Sequence, residues 1–204
     1  MTYEAKDQQE RLETYEWDNT WMDHANDREG RARILYVGDS ISVGTRRMIT
    51  ARCEEKILCD GFGTSKAVDN EFFAASVRLF AAQLPRCDAM LLNNGLHGWH
   101  LSDEEYADGL ARLVGELREM YPAVPLFLLL TTHVADEARD ERVRRRNAIV
   151  REIAAGDGLP VIDLYAVSSE NAALLAPDGV HFSKEGYETL AEEICRCVLP
   201  VMRG

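Results

Sequence analysis

Ile34-Leu35-Tyr36-Val37-Gly38-Asp39-Ser40 sets four apolar residues directly against a glycine, a carboxylate and a hydroxyl. An apolar run this short and continuous suits a strand buried on both faces. The chain then repeats the pattern. Further runs fall at residues 56–59, the weakest of the set, then at 89–92, 126–130 and 161–162. Between them, apolar residues recur at helical spacing. Phe73, Val77, Phe80, Ala81 and Leu84 form one such stripe, and Tyr106, Leu110, Leu113, Val114 and Leu117 another. A third helix is expected over residues 140–155, with Val143, Val150, Ile153 and Ala154 inward, and a last one carries Tyr187, Leu190, Ala191, Ile194 and Val198. Ser102-Asp103-Glu104-Glu105 opens the second with a capping-box pattern. Strands alternating with helices predict an α/β fold whose five-stranded parallel sheet is covered on both faces.

The bulk properties set the limits. The chain of 204 residues fits one domain with a real core, and 46% hydrophobic with 28% charged residues is globular composition. A net charge of -12 repels phosphate backbones and anionic membranes, so neither nucleic acid nor a membrane surface is expected as a partner. Cys53, Cys59, Cys87, Cys195 and Cys197 are odd in number and form no CxxC pair, which fits reduced, mostly packed thiols better than disulfides or zinc. The opening MTYEAKDQQERLETYEW shows no basic region followed by an apolar stretch, and the most apolar run, 124–130, is too short to span a bilayer. Cytoplasmic residence is the expectation. Residues 1–30 read as an arm, expected as a helix with Leu12, Tyr15, Trp17, Trp21 and Met22 packed on a domain of residues 31–204.

Open parallel sheets collect ligands at the carboxyl ends of their strands. Polar, chemically competent residues stand at each such place: Gly38-Asp39-Ser40 after the first strand, Gly61-Phe62-Gly63-Thr64-Ser65 after the second, Asn93-Asn94-Gly95-Leu96-His97-Gly98-Trp99 after the third, and Thr131-Thr132-His133 after the fourth. Asp178-Gly179-Val180-His181 precedes the last helix.

A serine hydroxyl needs a base to take its proton, and that base needs a group to orient it. His181, with Asp178 three residues before it, suits the task. Alone, Asp-x-x-His is as often a helix-entry acid beside a surface histidine, and Gly38-Asp39-Ser40 alone reads as a helix N-cap. Even as a cap it places Ser40 where exposed amides can face an oxyanion. Gly63, with the Ser65 amide as a second choice, and either His97 or Asn94 are the remaining candidate donors.

Taken jointly, Ser40 in its GDS motif, the glycine loop at 61–65, the polar loop at 93–99 and Asp178-x-x-His181 resemble the SGNH/GDSL hydrolase family, over roughly residues 33–198. The resemblance implies a flavodoxin-like three-layer α/β/α sandwich and hydrolysis of esters or thioesters without a cofactor or metal. It also implies Ser40 as nucleophile, His181 as base, Asp178 as its orienting carboxylate, and the amides of Ser40 and Gly63 as oxyanion donors. The third block departs from the family's Gly-x-Asn-Asp: aligning Gly95 puts His97 where the asparagine belongs. A neutral histidine can donate one N–H, and His97 is preferred over Asn94. The stretch NNGLHGW is also similar to a bacterial subgroup related to carbohydrate-active esterases, which offers Trp99 as a stacking platform, with His100 and His133 nearby. The expected substrate is therefore a small acyl ester, acetyl above all, on a small molecule or a saccharide.

Other classes fare worse. A metal-dependent hydrolase would draw on His97, His100 and His133, but no HExxH or compact carboxylate cluster accompanies them. An inactive binding module conflicts with an intact Ser40, Asp178 and His181. A nucleotide-binding protein of similar fold needs a phosphate loop, and GDSISVG is not one.

Overall fold

Strand β2 (Ala32–Gly38) carries the opening motif and lies inside a six-stranded sheet. The other strands are β1 (Asp18–Trp21), β3 (Ile57–Thr64), β4 (Ala89–Leu92), β5 (Leu126–Leu129) and β6 (Val161–Ile162), in the spatial order β1-β3-β2-β4-β5-β6. The structure is a computed structural model and describes residues 9–202. The expected run of parallel strands is present from β3 to β6. The strand count needs correction, because β1 pairs antiparallel with β3 and makes the sheet mixed.

That sixth strand comes from the arm. Where a helix is expected through Trp17 and Trp21, the chain instead runs extended over Asp18–Trp21, and no helix occurs among residues 9–30. Residues 1–8 of the arm lie outside the described residues. The physical reason is the free edge of β3. A buried edge leaves one side of its backbone unpaired, and an extended segment beside it satisfies those groups where a helix cannot.

Successive strand residues point to opposite faces, so each strand feeds two cores. Leu35 and Val37 of β2 join Met90, Leu92 and Leu128 beneath α2 (Phe73–Ala81) and α3 (Asp103–Met120). Ile34 and Tyr36 join Leu91, Phe127 and Leu129 beneath α1 (Ser40–Arg52) and α6 (Lys184–Met202). The helix α4 (Glu137–Asp157) contributes to both, and α5 (Leu164–Glu170) was not anticipated from the sequence. Ser102 caps α3 in the expected box, its side chain accepting from Glu105 N–H while Glu105 accepts from Ser102 N–H.

The packing of α6 on α1 matters most for the site. A Cβ at Gly44 would lie 2.3 Å from the Tyr187 ring, so only glycine lets that ring press flat on α1 one turn beyond Ser40. This close approach carries the start of α6, and the loop before it, up to the carboxyl end of β2. At the opposite end of the sheet, Arg33 and Asp60 form a buried ion pair (3.2 Å) between β2 and β3, and the Arg33 guanidinium also donates to Asp23 C=O. Burial raises the Asp60 carboxyl to about 6. No helix among the described residues is long and apolar enough to cross a membrane.

Candidate active site

The chain leaves β2 at Gly38 and turns straight into α1. Asp39 is the N-cap, its Oδ1 accepting from Ile41 N–H at 2.9 Å, which makes Ser40 the first residue of the helix. Asp39 is fully buried. Burial pushes its carboxyl up; the charges of His97 and His181 and the Ile41 amide pull the other way. The capping alternative and the catalytic one are thus compatible: Asp39 caps, and Ser40 is held at the helix N-terminus.

The loop before α6 is equally constrained. Leu175 and Phe182 pair across it, and Ala176 N–H donates to His181 C=O at 2.7 Å. Inside this pinch Asp178 Oδ1 accepts from the amides of Val180 and His181, both at 2.9 Å, while Oδ2 lies 2.8 Å from His181 Nδ1. A carboxylate only accepts, so Nδ1 carries the hydrogen and Nε2 presents its lone pair. That Nε2 lies 2.8 Å from Ser40 Oγ. Burial alone would raise the Asp178 carboxyl, but the two amides and the His181 ring outweigh it and hold it at about 2. The Asp178 and His181 side chains keep 54% and 40% of their exposure, so the cluster lies open to an arriving substrate. A cavity of about 330 Å³ lined by Val134, Asp136, Arg139, Asp178, Gly179 and Val180 adjoins it. This arrangement can deprotonate Ser40 as it attacks and return the proton to a leaving group.

The opposite side is built differently from the expectation. Gly61–Thr64 lie within β3, not in a loop after it. Ser65 N–H donates to Trp17 C=O at 3.1 Å, and Gly63 stands opposite Asn19. Hydrogen-bonded pairs alternate along an antiparallel ladder, so Gly63, two residues from Ser65, also directs its amide to β1. Both proposed backbone donors of this block are therefore engaged by the arm. Asn94 donates through Nδ2 to Lys66 C=O at 2.8 Å and is buried, tying two loops together. His97 is nearly buried, with Nδ1 2.9 Å from Glu13 Oε1 and its ring edge-on to Trp17 at 6.4 Å.

The remaining candidates lie further out. The Trp99 ring is faced by the guanidinium groups of Arg146 (4.9 Å), Arg139 and Arg142 (both 5.6 Å). His133 is held by Asp140 (2.7 Å) and Tyr165 packs edge-on against it. His100 pairs with Asp69 at 3.1 Å. Each of His97, His100 and His133 thus faces its own acid, and among the described residues no group of three or more such side chains converges as a metal site.

Two residues of this neighbourhood escaped the sequence reading. Glu13 lay in the arm, with no signal to mark it. Arg146 is fully buried and donates to the carbonyls of Gly95 (3.0 Å), His97 (2.7 Å) and Gly98 (2.5 Å), which shapes the loop that presents His97. A signal existed: Arg146 falls on the inward stripe of α4 with Val143, Asn147 and Val150.

The profile of the GDSL-like lipase/acylhydrolase family matches residues 36–189. The chain belongs to that family. Its members hydrolyse esters, and so this chain is an ester hydrolase. No curated protein matches it in sequence. Among solved structures it is similar to a carbohydrate acetylesterase from Sinorhizobium meliloti (TM-score 0.68, 15% identity, covering 84% of this chain and 100% of that one). It is also similar to a lipase/acylhydrolase from Enterococcus faecalis (0.68, 19%, 83% and 96%). A third likeness is to an acetyl xylan esterase from Geobacillus stearothermophilus (0.65, 20%, 81% and 93%). At these identities the likeness speaks for the shared fold.

Proposed function

We propose that this GDSL-family chain is a serine esterase that removes a small acyl group, acetyl above all, from a hydroxyl-rich alcohol such as a carbohydrate. The observation that carries the reading is the line Asp178 Oδ2, His181, Ser40 Oγ, with both hydrogen-bond distances at 2.8 Å. Ser40 Oγ attacks the ester carbonyl as its proton passes to His181 Nε2. The tetrahedral intermediate collapses, the C–O bond to the alcohol breaks, and His181 returns the proton to the departing oxygen. Water, deprotonated by the same His181, then releases the acid from Ser40. Asp178 fixes the His181 tautomer and offsets the charge it gains.

Two features favour a small acyl group and a polar leaving group. Space is tight at Gly63, beside the site, where a Cβ would meet Val43 Cγ2 of α1 at 2.4 Å and Trp17 of the arm at 3.5 Å. The open side, beside Asp178, is lined by the charged Asp136 and Arg139 together with Val134 and Val180. Acetylesterases among the similar folds agree with this. The test has two parts. A fluorophosphonate probe should label Ser40, read by mass spectrometry of the peptide. A panel of acetylated sugars, aryl esters of rising chain length and an acyl thioester should then favour acetyl substrates. Preference for long chains would reassign the protein as a lipase, and preference for the thioester as a thioesterase.

A further inference from the structure

We propose that Glu13 is a positioning residue that keeps a hydrogen on His97 Nε2, so that His97 faces the oxyanion as a donor. This rests on the serine-esterase reading. The Glu13 and His97 side chains keep only 9% and 11% of their exposure and meet at 2.9 Å through Nδ1. A neutral histidine whose Nδ1–H is given to a carboxylate has a bare Nε2, which repels an oxyanion. A neutral His97 facing an ionised Glu13 therefore does not serve in this setting. A second proton on the pair cures this. Either the imidazolium faces a carboxylate, or the shared proton rests on Glu13; both arrangements leave a hydrogen on Nε2. A carboxylate at this distance favours the doubly protonated ring, against the opposing pull of burial.

The position fits the role. Trp17 touches the His97 ring edge-on, and a Cβ at Gly63 would lie 3.5 Å from both Trp17 and the Asp39 carbonyl, next to Ser40. The need is also evident. The arm engages the amides of Gly63 and Ser65, while Ser40 N–H stands at the start of α1. The same arm that withdraws those donors brings Glu13. Asparagine, the family's usual residue here, donates without any charge; histidine needs the acid. Among the described residues, the charged and titratable groups that meet His97 include Glu13 of the arm at Nδ1, Arg146 at its carbonyl and Asp39 at the cap of α1, which also feels the charge of His181. Glu16 accepts Glu13 N–H at 2.9 Å and the Ser65 hydroxyl at 2.8 Å, and so steadies the turn that presents Glu13.

The test uses the full chain with p-nitrophenyl acetate, kcat and KM being followed against pH, and Ser40→Ala as the blank. Glu13→Met keeps the side-chain length and removes the acid. It should lower kcat by about 10- to 100-fold with KM changed less than about threefold, and move the alkaline limb to lower pH. Glu13→Asp should recover part of the loss. His97→Asn should keep kcat within about tenfold of the parent and lose the alkaline limb. Adding Glu13→Met to His97→Asn should then change kcat by less than about twofold, because an amide does not need the acid. An equal loss from Glu13→Met in both backgrounds, or an unshifted alkaline limb, overturns the proposal and leaves Glu13 as a prop for the arm. Ring ¹⁵N shifts of His97 read Nε2 protonation without turnover. They should show it persisting to higher pH in the parent than in Glu13→Met, and equal titration in the two overturns the proposal. Absence of Ser40-dependent hydrolysis in the parent would instead defeat the esterase reading, with the ¹⁵N result still standing on its own.

Discussion

The two halves of the site are made in opposite ways. On the base side, Asp178 and His181 are three residues apart, satisfied within one pinched loop, and roughly half exposed. On the acyl side, His97 meets Glu13 across 84 positions, Ser65 meets Trp17 across 48, and Arg146 reaches Gly95 across 51, nearly all of it buried. The base side does its work with a local motif that tolerates water. The acyl side depends on groups assembled from four distant segments, where low dielectric makes each charge count for more. The difference predicts that chemistry is lost most completely by changes on the base side. Changes on the acyl side should mix loss of rate with loss of stability.

The largest effect tests the base side. Ser40→Ala and His181→Ala should each lower kcat by at least about a thousandfold while leaving the melting temperature nearly unchanged, since neither side chain supports the core. Activity surviving in Ser40→Ala would remove the covalent mechanism.

The acyl side comes next. His97→Ala should cost about 100-fold in kcat. Asn94→Ala should cost less than about tenfold in kcat but lower stability by about 1–3 kcal/mol, because the part-buried Lys66 carbonyl loses its donor. The reverse ranking in kcat would make Asn94 the oxyanion donor and His97 a support for the arm.

Asp178→Asn sharpens the contrast at smaller scale. The one oxygen of an amide can still accept from the Val180 and His181 backbone, but its NH2 then faces His181 Nδ1 and favours the wrong tautomer. Water reaches this half-exposed group and softens the loss. A loss of about 10- to 100-fold is expected, well short of that for Ser40. The pH dependence follows from the same contacts. Asp178 is depressed to about 2, so its charge is kept at mildly acid pH and is lost only as pH falls toward that value. Activity that falls at mildly acid pH in the parent therefore does not report Asp178. The same limb should remain in Asp178→Asn; its disappearance would show that Asp178 titrates there.

Legibility followed the same divide. The strand runs at 34–37, 89–92 and 126–130 and the capped start of α3 were written in local pattern, and local pattern is what a sequence displays. So was Asp178-x-x-His181. What stayed hidden was the consequence of β1. Trp17 and Trp21 looked like one face of a helix, and nothing nearby in the chain signals that the free edge of β3 will recruit Asp18–Trp21 as a strand. That single event lengthens β3 through Thr64, engages the Gly63 amide and delivers Glu13 to His97. Arg146 stood in between: its place on an apolar stripe was visible, but the three carbonyls it serves lie about fifty positions away.

Trp99 gives the smallest expected effect and the sharpest question about the border between the halves. Its sequence neighbourhood offered it as a sugar platform, but its ring lies against three arginines, with Arg146 closest at 4.9 Å. Arg146 also holds the carbonyl of His97. A ring so occupied serves the loop and the arginines first. Trp99→Leu should therefore lower stability by about 1–2 kcal/mol through lost cation–π contact and packing. Its kcat/KM on both p-nitrophenyl acetate and an acetylated sugar should stay within about threefold. A KM rise of about tenfold or more confined to the sugar would move Trp99 into the leaving-group site. It would also extend that site from the cavity beside Asp178 across to the loop that carries His97.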